Sequence, residues 1–210
     1  MIKKVFLFFF LFGFSLLSVA QRIKIDKKEL QFLRGETKVG LQFTFPESFR
    51  MDGSKITETE FLKIKKGAWD KRISPDGGDR WLEAYELCKK QDWPITFVKA
   101  FNETVSNYSD LKLTSDLTQT NYTMIVETNW MYMGYHGGII YQRAKLKTTI
   151  RFVKTDDFSE ELYSTKTPII RGFLGEGEFN DLSRVSQAYD QTSYLLALGL
   201  KKVLKGSRKK

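Results

Sequence analysis

Among 210 residues there is one cysteine, Cys88, one histidine, His136, and only four prolines. A lone cysteine excludes any internal disulfide, so the fold must hold itself together through its core alone. One His and one Cys, far apart in the chain, leave a zinc or copper site without enough soft ligands. The acidic pairs Asp156/Asp157 and Glu160/Glu161 lack the Asp-x-Asp-x-Asp-Gly spacing of a calcium loop. Nucleophilic catalysis would have to use His136 as its base, since no other imidazole exists. Beside Cys88 no base is evident, so it reads as a small core residue rather than a reactive thiol. The expectation is therefore no metal, no cofactor and no catalytic set, with His136 the one candidate in reserve.

The chain opens with one long apolar run. Lys3 and Lys4 precede an apolar stretch from Val5 to Leu17, and Ser18-Val19-Ala20 follows before Gln21. A basic start, an apolar middle and a small-residue end describe a secretory signal peptide cleaved after Ala20. The run is short for a membrane-spanning helix of about 20 residues, so no transmembrane segment is expected after cleavage. An exported chain without disulfides suits a periplasm, or release from the cell.

Acid is the scarce charge. The formal charge is +9, and +7 once Lys3 and Lys4 are removed. That excess points to acidic partners: anionic lipid, acidic polysaccharide or another envelope protein. Export makes nucleic acid the least fitting. Asn102-Glu-Thr, Asn107-Tyr-Ser and Asn121-Tyr-Thr match the glycosylation triplet, which matters only in a eukaryotic secretory route.

Residues 21 to 37 read as a basic arm, residues 38 to 205 as one domain, and residues 206 to 210 as a basic tail. Val39, Leu41, Phe43 and Phe45 alternate with polar or small residues, predicting a strand that Pro46 ends. Thr57-x-x-Glu60 is a capping box for a short helix with Phe61, Leu62 and Ile64. After the loop Ser74 to Asp79, Asp79 is placed to cap a helix with Trp81, Leu82, Tyr85 and Cys88 on one side. Asp92 and Pro94 start another, with Phe97, Val98, Phe101 and Val105 at helical spacing. Residues 107 to 120 read as a polar connection. The last helix is capped at Asp181 and striped by Leu182, Val185, Tyr189, Leu196, Leu200 and Val203.

The stretch from Asn121 to Lys154 dominates. Two strand-like runs, residues 121 to 131 and 139 to 154, flank a Gly-rich loop carrying His136. In the second run Ala144, Leu146, Thr148, Ile150 and Phe152 alternate with Arg143, Lys145, Lys147, Thr149 and Arg151. Successive strand side chains point to opposite faces, so one apolar face is backed by a cationic one. Arg143, Lys145, Lys147 and Arg151 are the candidate anion-binding face; the competing reading is a merely solvated sheet surface. A third strand follows near residues 161 to 167. The glycine loop of residues 171 to 178 carries Glu176 and Glu178 and no Lys-Ser/Thr, which speaks against phosphate binding. The order of elements predicts an α+β fold: a mostly antiparallel or mixed sheet of about four strands with helices packed on one face.

The phrases YTMIVETNWMYMGYHGGIIYQRAKLKTTIRFVKT and RVSQAYDQTSYLLALGLKKVL, with the WLEAYE and FVKAFNE helices, resemble small exported proteins of Bacteroidetes-type bacteria with no assigned function. There a strand of the type YTLIVKT and a second ending like TFVET precede a helix reading AYxxAGxxLGKxL. The resemblance spans roughly residues 75 to 204 and carries over no catalytic residue. Tyr194-Leu-Leu-Ala-Leu-Gly199 departs from it, where small residues are usual. The element order is distantly similar to periplasmic lipoproteins that activate cell-wall synthases or assemble secretion pores. The expected role is a non-enzymatic exported binding or accessory protein of the cell envelope. The alternatives are a hydrolase with an unrecognised site and a self-associating structural protein.

Overall fold

The structure, a computed structural model, describes residues 21–173 and 180–205. The expected signal peptide, the acidic part of the glycine loop and the basic tail lie outside the described residues.

The fold is α+β, built on a mixed sheet of eight strands among the described residues where the sequence predicts about four. The surplus consists of short strands that carry too little pattern to read. β1 (Lys38–Thr44) lies between β4 (Lys112–Thr114) and β5 (Tyr122–Tyr132), parallel to both. Parallel neighbours need a crossover, and the helices between β1 and β4 supply it. β2 (Arg50–Met51) runs parallel to the far end of β5 and pairs antiparallel with β3 (Ile56–Thr57). β8 (Lys145–Lys154) pairs antiparallel with β5 and carries both β9 (Glu161–Lys166) and β10 (Ile170–Arg171) on its outer edge. The long second run of the sequence therefore divides. Its start forms β7 (Ile140–Gln142), which pairs with β6 (Tyr135–Gly137) as a separate hairpin. His136 sits in that hairpin's first strand rather than in a loop.

The capping box at Thr57 forms as predicted: the Glu60 amide donates to the Thr57 hydroxyl at 3.2 Å and the Thr57 amide to the Glu60 carboxylate at 2.9 Å. The helix it starts, α1 (Glu58–Arg72), runs further than the short element expected. The next two helices are one continuous rod. α2 (Gly77–Leu87) passes through a π-helical turn, Cys88–Asp92, into α3 (Trp93–Val105). Pro94 has no N–H to give back to the preceding turn, and the wider turn absorbs the missing bond. α2 begins before Asp79, which sits in its first turn rather than at the cap.

α4 (Asp181–Leu204) is capped by Asn180, whose side chain accepts from the Leu182 amide at 2.8 Å. Asp181, the expected cap, is instead the first helical residue and turns inward. All six stripe residues from Leu182 to Val203 are buried. Tyr189 is the hub where α4 meets the sheet. Its hydroxyl lies 2.6 Å from that of Thr128, and its ring stands 5.2 Å from Phe43 and 5.5 Å from Trp93. The departure at Tyr194 to Gly199 resolves simply: Ser193 and Ala197 are buried, while the larger Tyr194 and Leu198 turn outward.

The segment from Gln21 to Thr37 is fastened down rather than loose. Ile23, Leu30 and Leu33 are buried, and each fully buried leucine contributes roughly 1.5–3 kcal/mol. Thr165 donates to the Lys24 carbonyl at 2.9 Å, and Arg34 Nε to the Val203 carbonyl at 3.2 Å.

Candidate functional site

A bulge in β5 builds the site. From Met124 to Thr128 the even-numbered residues are buried in the core; after Asn129 the odd-numbered Met131 and Met133 take over. The register against β8 shifts at that point, with Thr128 opposite Thr148 but Trp130 opposite Lys147. One extra residue on a strand changes which face each later side chain takes. Glu127, Asn129, Trp130 and Tyr132 consequently gather on the side opposite the core, beside Lys147 and Thr149 of β8. The other end of this side is closed, since Thr123, Ile125 and Val153 are buried.

The open end holds a depression of about 610 Å³. Of the residues lining it, Arg50, Lys55, Lys147 and Lys166 are cationic and Glu127 is acidic. Arg50 is aimed by its own backbone, donating from Nη1 to the carbonyls of Glu47 at 2.9 Å and Phe49 at 2.8 Å. The floor is knitted by polar contacts. Thr149 donates to the Asn129 side-chain oxygen at 2.8 Å, and Asn129 donates to the Glu127 carboxylate at 2.8 Å. Trp130 is half-buried, its indole N–H bound to the Asp52 carbonyl at 2.9 Å and its ring parallel to Tyr132 at 6.5 Å. An aromatic face, a fixed cation and several lysine ends are what a ring with anionic substituents requires.

The predicted cationic row divides here. Lys147 lines the depression. Lys145 lies over the Tyr132 ring at 5.0 Å. Arg151 stands between Glu127 and Glu161, 3.7 Å from each, and its charge is spent within the fold. Arg143 precedes β8 and is exposed at the foot of the hairpin. In their place come Arg50, Lys55 and Lys166, from β2, its turn and β9. Sequence reading missed these three because nothing local links them. The parity switch from Met124 and Val126 to Met131 and Met133 was the one visible sign of the bulge.

His136 lines a different depression, about 670 Å³, at the start of α4. Its ring meets Tyr141 edge-on at 5.9 Å. The nearby carboxylate of Asp181 is occupied, with Lys65 at 2.6 Å and the Trp81 N–H at 3.1 Å. Arg184 is turned to the backbone, donating to the Met133 carbonyl at 3.0 Å. The described residues lining this depression include no serine, threonine or cysteine for an imidazole to activate. A third depression, about 800 Å³ between β1 and the α2–α3 rod, is lined largely by hydrocarbon from Phe43, Ile95, Val98 and Leu113.

Cys88 is half-buried and donates from Sγ to Asp92 at 3.2 Å. Burial, reinforced by that bond, pushes its thiol up to about 12, far from a nucleophile at neutral pH. Asp157 serves a turn, accepting from the Ser159 amide at 2.9 Å and hydroxyl at 2.6 Å, and these bonds hold its carboxyl below the usual range. Asn102 is occupied by structure as well, exchanging two hydrogen bonds with the Leu113 backbone. Among the described residues, no group of three or more His, Cys, Asp or Glu side chains is placed to hold a metal ion, and no helix is long and apolar enough to cross a membrane.

No family model matches the chain, and no curated protein matches it. Among solved structures it is similar to a PelC dodecamer from Paraburkholderia phytofirmans, at 13% identity and a TM-score of 0.36, over 84% of this chain and 92% of that one. A substituted form of the same PelC dodecamer gives 11% identity and a TM-score of 0.34, over 80% and 89%. Likeness this slight carries no argument about fold or function.

Proposed function

We propose that the protein is a non-enzymatic, exported binding module of the cell envelope that takes an acidic glycan on the bulged side of its sheet. The observation that carries this reading is Trp130 set among Arg50, Lys55, Lys147 and Lys166 around one depression. A sugar ring offers C–H groups to the indole face, and its carboxylates or phosphates meet the cations with charge-assisted bonds. α4 meets the sheet on the other face, where the Tyr189 hydroxyl lies 2.6 Å from that of Thr128. Export rests on Lys3, Lys4, the apolar run to Leu17 and the small-residue end at Ala20.

Titration calorimetry with a polyuronate, and with neutral dextran as the control, tests the reading. Polyuronate binding that weakens as salt is added is the expected result. Equal response to both polymers, or none to either, rejects it.

A further inference from the structure

We propose that the β6–β7 hairpin is a docking tip that seats the protein in an anionic lipid surface. The inference stands apart from the glycan reading, because it rests on different residues. The hairpin projects as its own two-stranded sheet, paired only from Tyr135–Gln142 to Gly137–Ile140. At its end Ile139 is fully exposed, at 102% of its reference area, with Ile140 at 59% and Tyr135 at 52%. Two successive isoleucines held out in water are rare on a surface that meets only water.

The tip is mounted rigidly. Gly134, at φ +78°, brings the chain so close to Gln142 and Ala144 that a Cβ there would lie 2.3 Å from the Gln142 carbonyl oxygen. Tyr132 donates to the Gln142 side chain at 2.6 Å across the base. From α4, Arg184, only 4% exposed, donates to the carbonyls of Met133 at 3.0 Å and Gly134 at 3.5 Å. An arginine buried to hold a loop base fixes the direction of what the loop presents. Ile139 is the most exposed of the described large apolar side chains, well beyond Ile95 at 64%.

The chemistry around the tip names that partner. Tyr135 lies across Gly137 on the Ile140 face, and Tyr141 lies on the other face beside His136. Tyrosines behind an aliphatic end match the boundary between acyl chains and headgroups. Behind them comes a cationic collar. Arg143 is exposed at the hairpin foot, and Arg72 is exposed where it lines the adjoining depression. Cations at headgroup depth favour anionic over zwitterionic lipid. An aliphatic tip, an aromatic waist and a basic collar in that order fit a lipid surface better than a protein groove.

Co-sedimentation with vesicles tests this, using the chain from Gln21 onward, which contains every described residue. Vesicles of mixed phosphatidylglycerol and phosphatidylcholine should pellet the protein; pure phosphatidylcholine should do so far less. Replacing both tip residues (Ile139→Ser with Ile140→Ser) should weaken binding to the mixed vesicles roughly tenfold or more. Ile139→Trp should strengthen it; Ile139 is fully exposed and Ile140 59% exposed, so neither change removes a core side chain. Both variants should keep wild-type affinity for polyuronate, which separates this outcome from failure of the glycan reading. Wild-type and serine variants pelleting alike, or no preference for anionic vesicles, overturns the proposal. So does a concentration-dependent dimer, without vesicle binding, that the serine variant abolishes; the tip would then join copies of the chain.

Discussion

The Trp130 indole donates its N–H to the Asp52 carbonyl at 2.9 Å, and Asp52 sits in a turn at φ +61°. This contact ties β5 to the β2–β3 turn and holds the aromatic floor of the depression flat. Trp130→Ala should reduce polyuronate affinity about tenfold while leaving the fold intact. Trp130→Phe keeps a ring but loses the anchoring bond, and should fall between the two. Calorimetry on the three proteins gives the order; an alanine variant with wild-type affinity removes Trp130 from the site.

Lys147 and Arg151 lie on the same face of one strand, yet charge reversal should act on them differently. Lys147→Glu changes a residue at the open depression, so polyuronate binding should collapse with little change in melting temperature. Arg151→Glu would bring a third carboxylate up to Glu127 and Glu161, now 3.7 Å from the guanidinium. It should cost about 1–2 kcal/mol of stability, modest because the trio is partly open to solvent. Thermal melts and binding isotherms for both variants separate the two roles.

Two glycines in the helical hairpin should answer alanine in opposite senses. A Cβ on Gly78 would lie 2.5 Å from the Lys66 carbonyl oxygen and 2.7 Å from the Asp70 carboxylate, which accepts from the Gly78 amide at 2.8 Å. Gly78→Ala should therefore destabilise by about 2–3 kcal/mol, as α1 and α2 are forced apart. Gly67, within α1, has nothing within 4 Å of its would-be Cβ. Gly67→Ala should stabilise by about 0.5–1 kcal/mol. Urea denaturation of both measures the contrast.

Asp190 on α4 carries a charge its site resists. Burial raises its carboxyl above the ordinary value, Glu103 adds to that, and Lys99 only partly opposes it. A raised folded-state value means the folded chain holds the proton longer than the unfolded chain. This contribution to stability is therefore complete in acid and lost as pH rises through the carboxylate range. Asp190→Asn should raise the melting temperature at pH 7, by less than about 1 kcal/mol equivalent, with the gain vanishing near about pH 3. A melting profile against pH shows whether the two curves converge there.

The helices were legible because their signals are local. The Thr57 capping box and the stripe from Leu182 to Val203 each act within a few turns of chain, and each appears where it was read. The same held for the body of β1, β5 and β8, whose alternation is long enough to see. Two- and three-residue strands such as β2, β4 and β10 carry no periodicity, and they doubled the strand count. Asp181 looked like a cap because its type suits one; Lys65 and Trp81, a hundred or more positions earlier, drew it inward instead.

The sequence by itself determined the α+β class, the single histidine and single cysteine, the cationic excess and the alternation of Lys145 to Phe152. Those follow from composition and from periods of two and 3.6, which any short window contains. Only the tertiary structure decided which cations work together. The bulge at Asn129 turned Trp130 to the open side, Glu127 and Glu161 neutralised Arg151, and Arg50, Lys55 and Lys166 arrived from other strands. It also set Ile139 out in solvent on a base clamped by Arg184. Charge pairing and side-chain facing depend on register between distant segments, and register is a property of the folded sheet, not of any stretch within it.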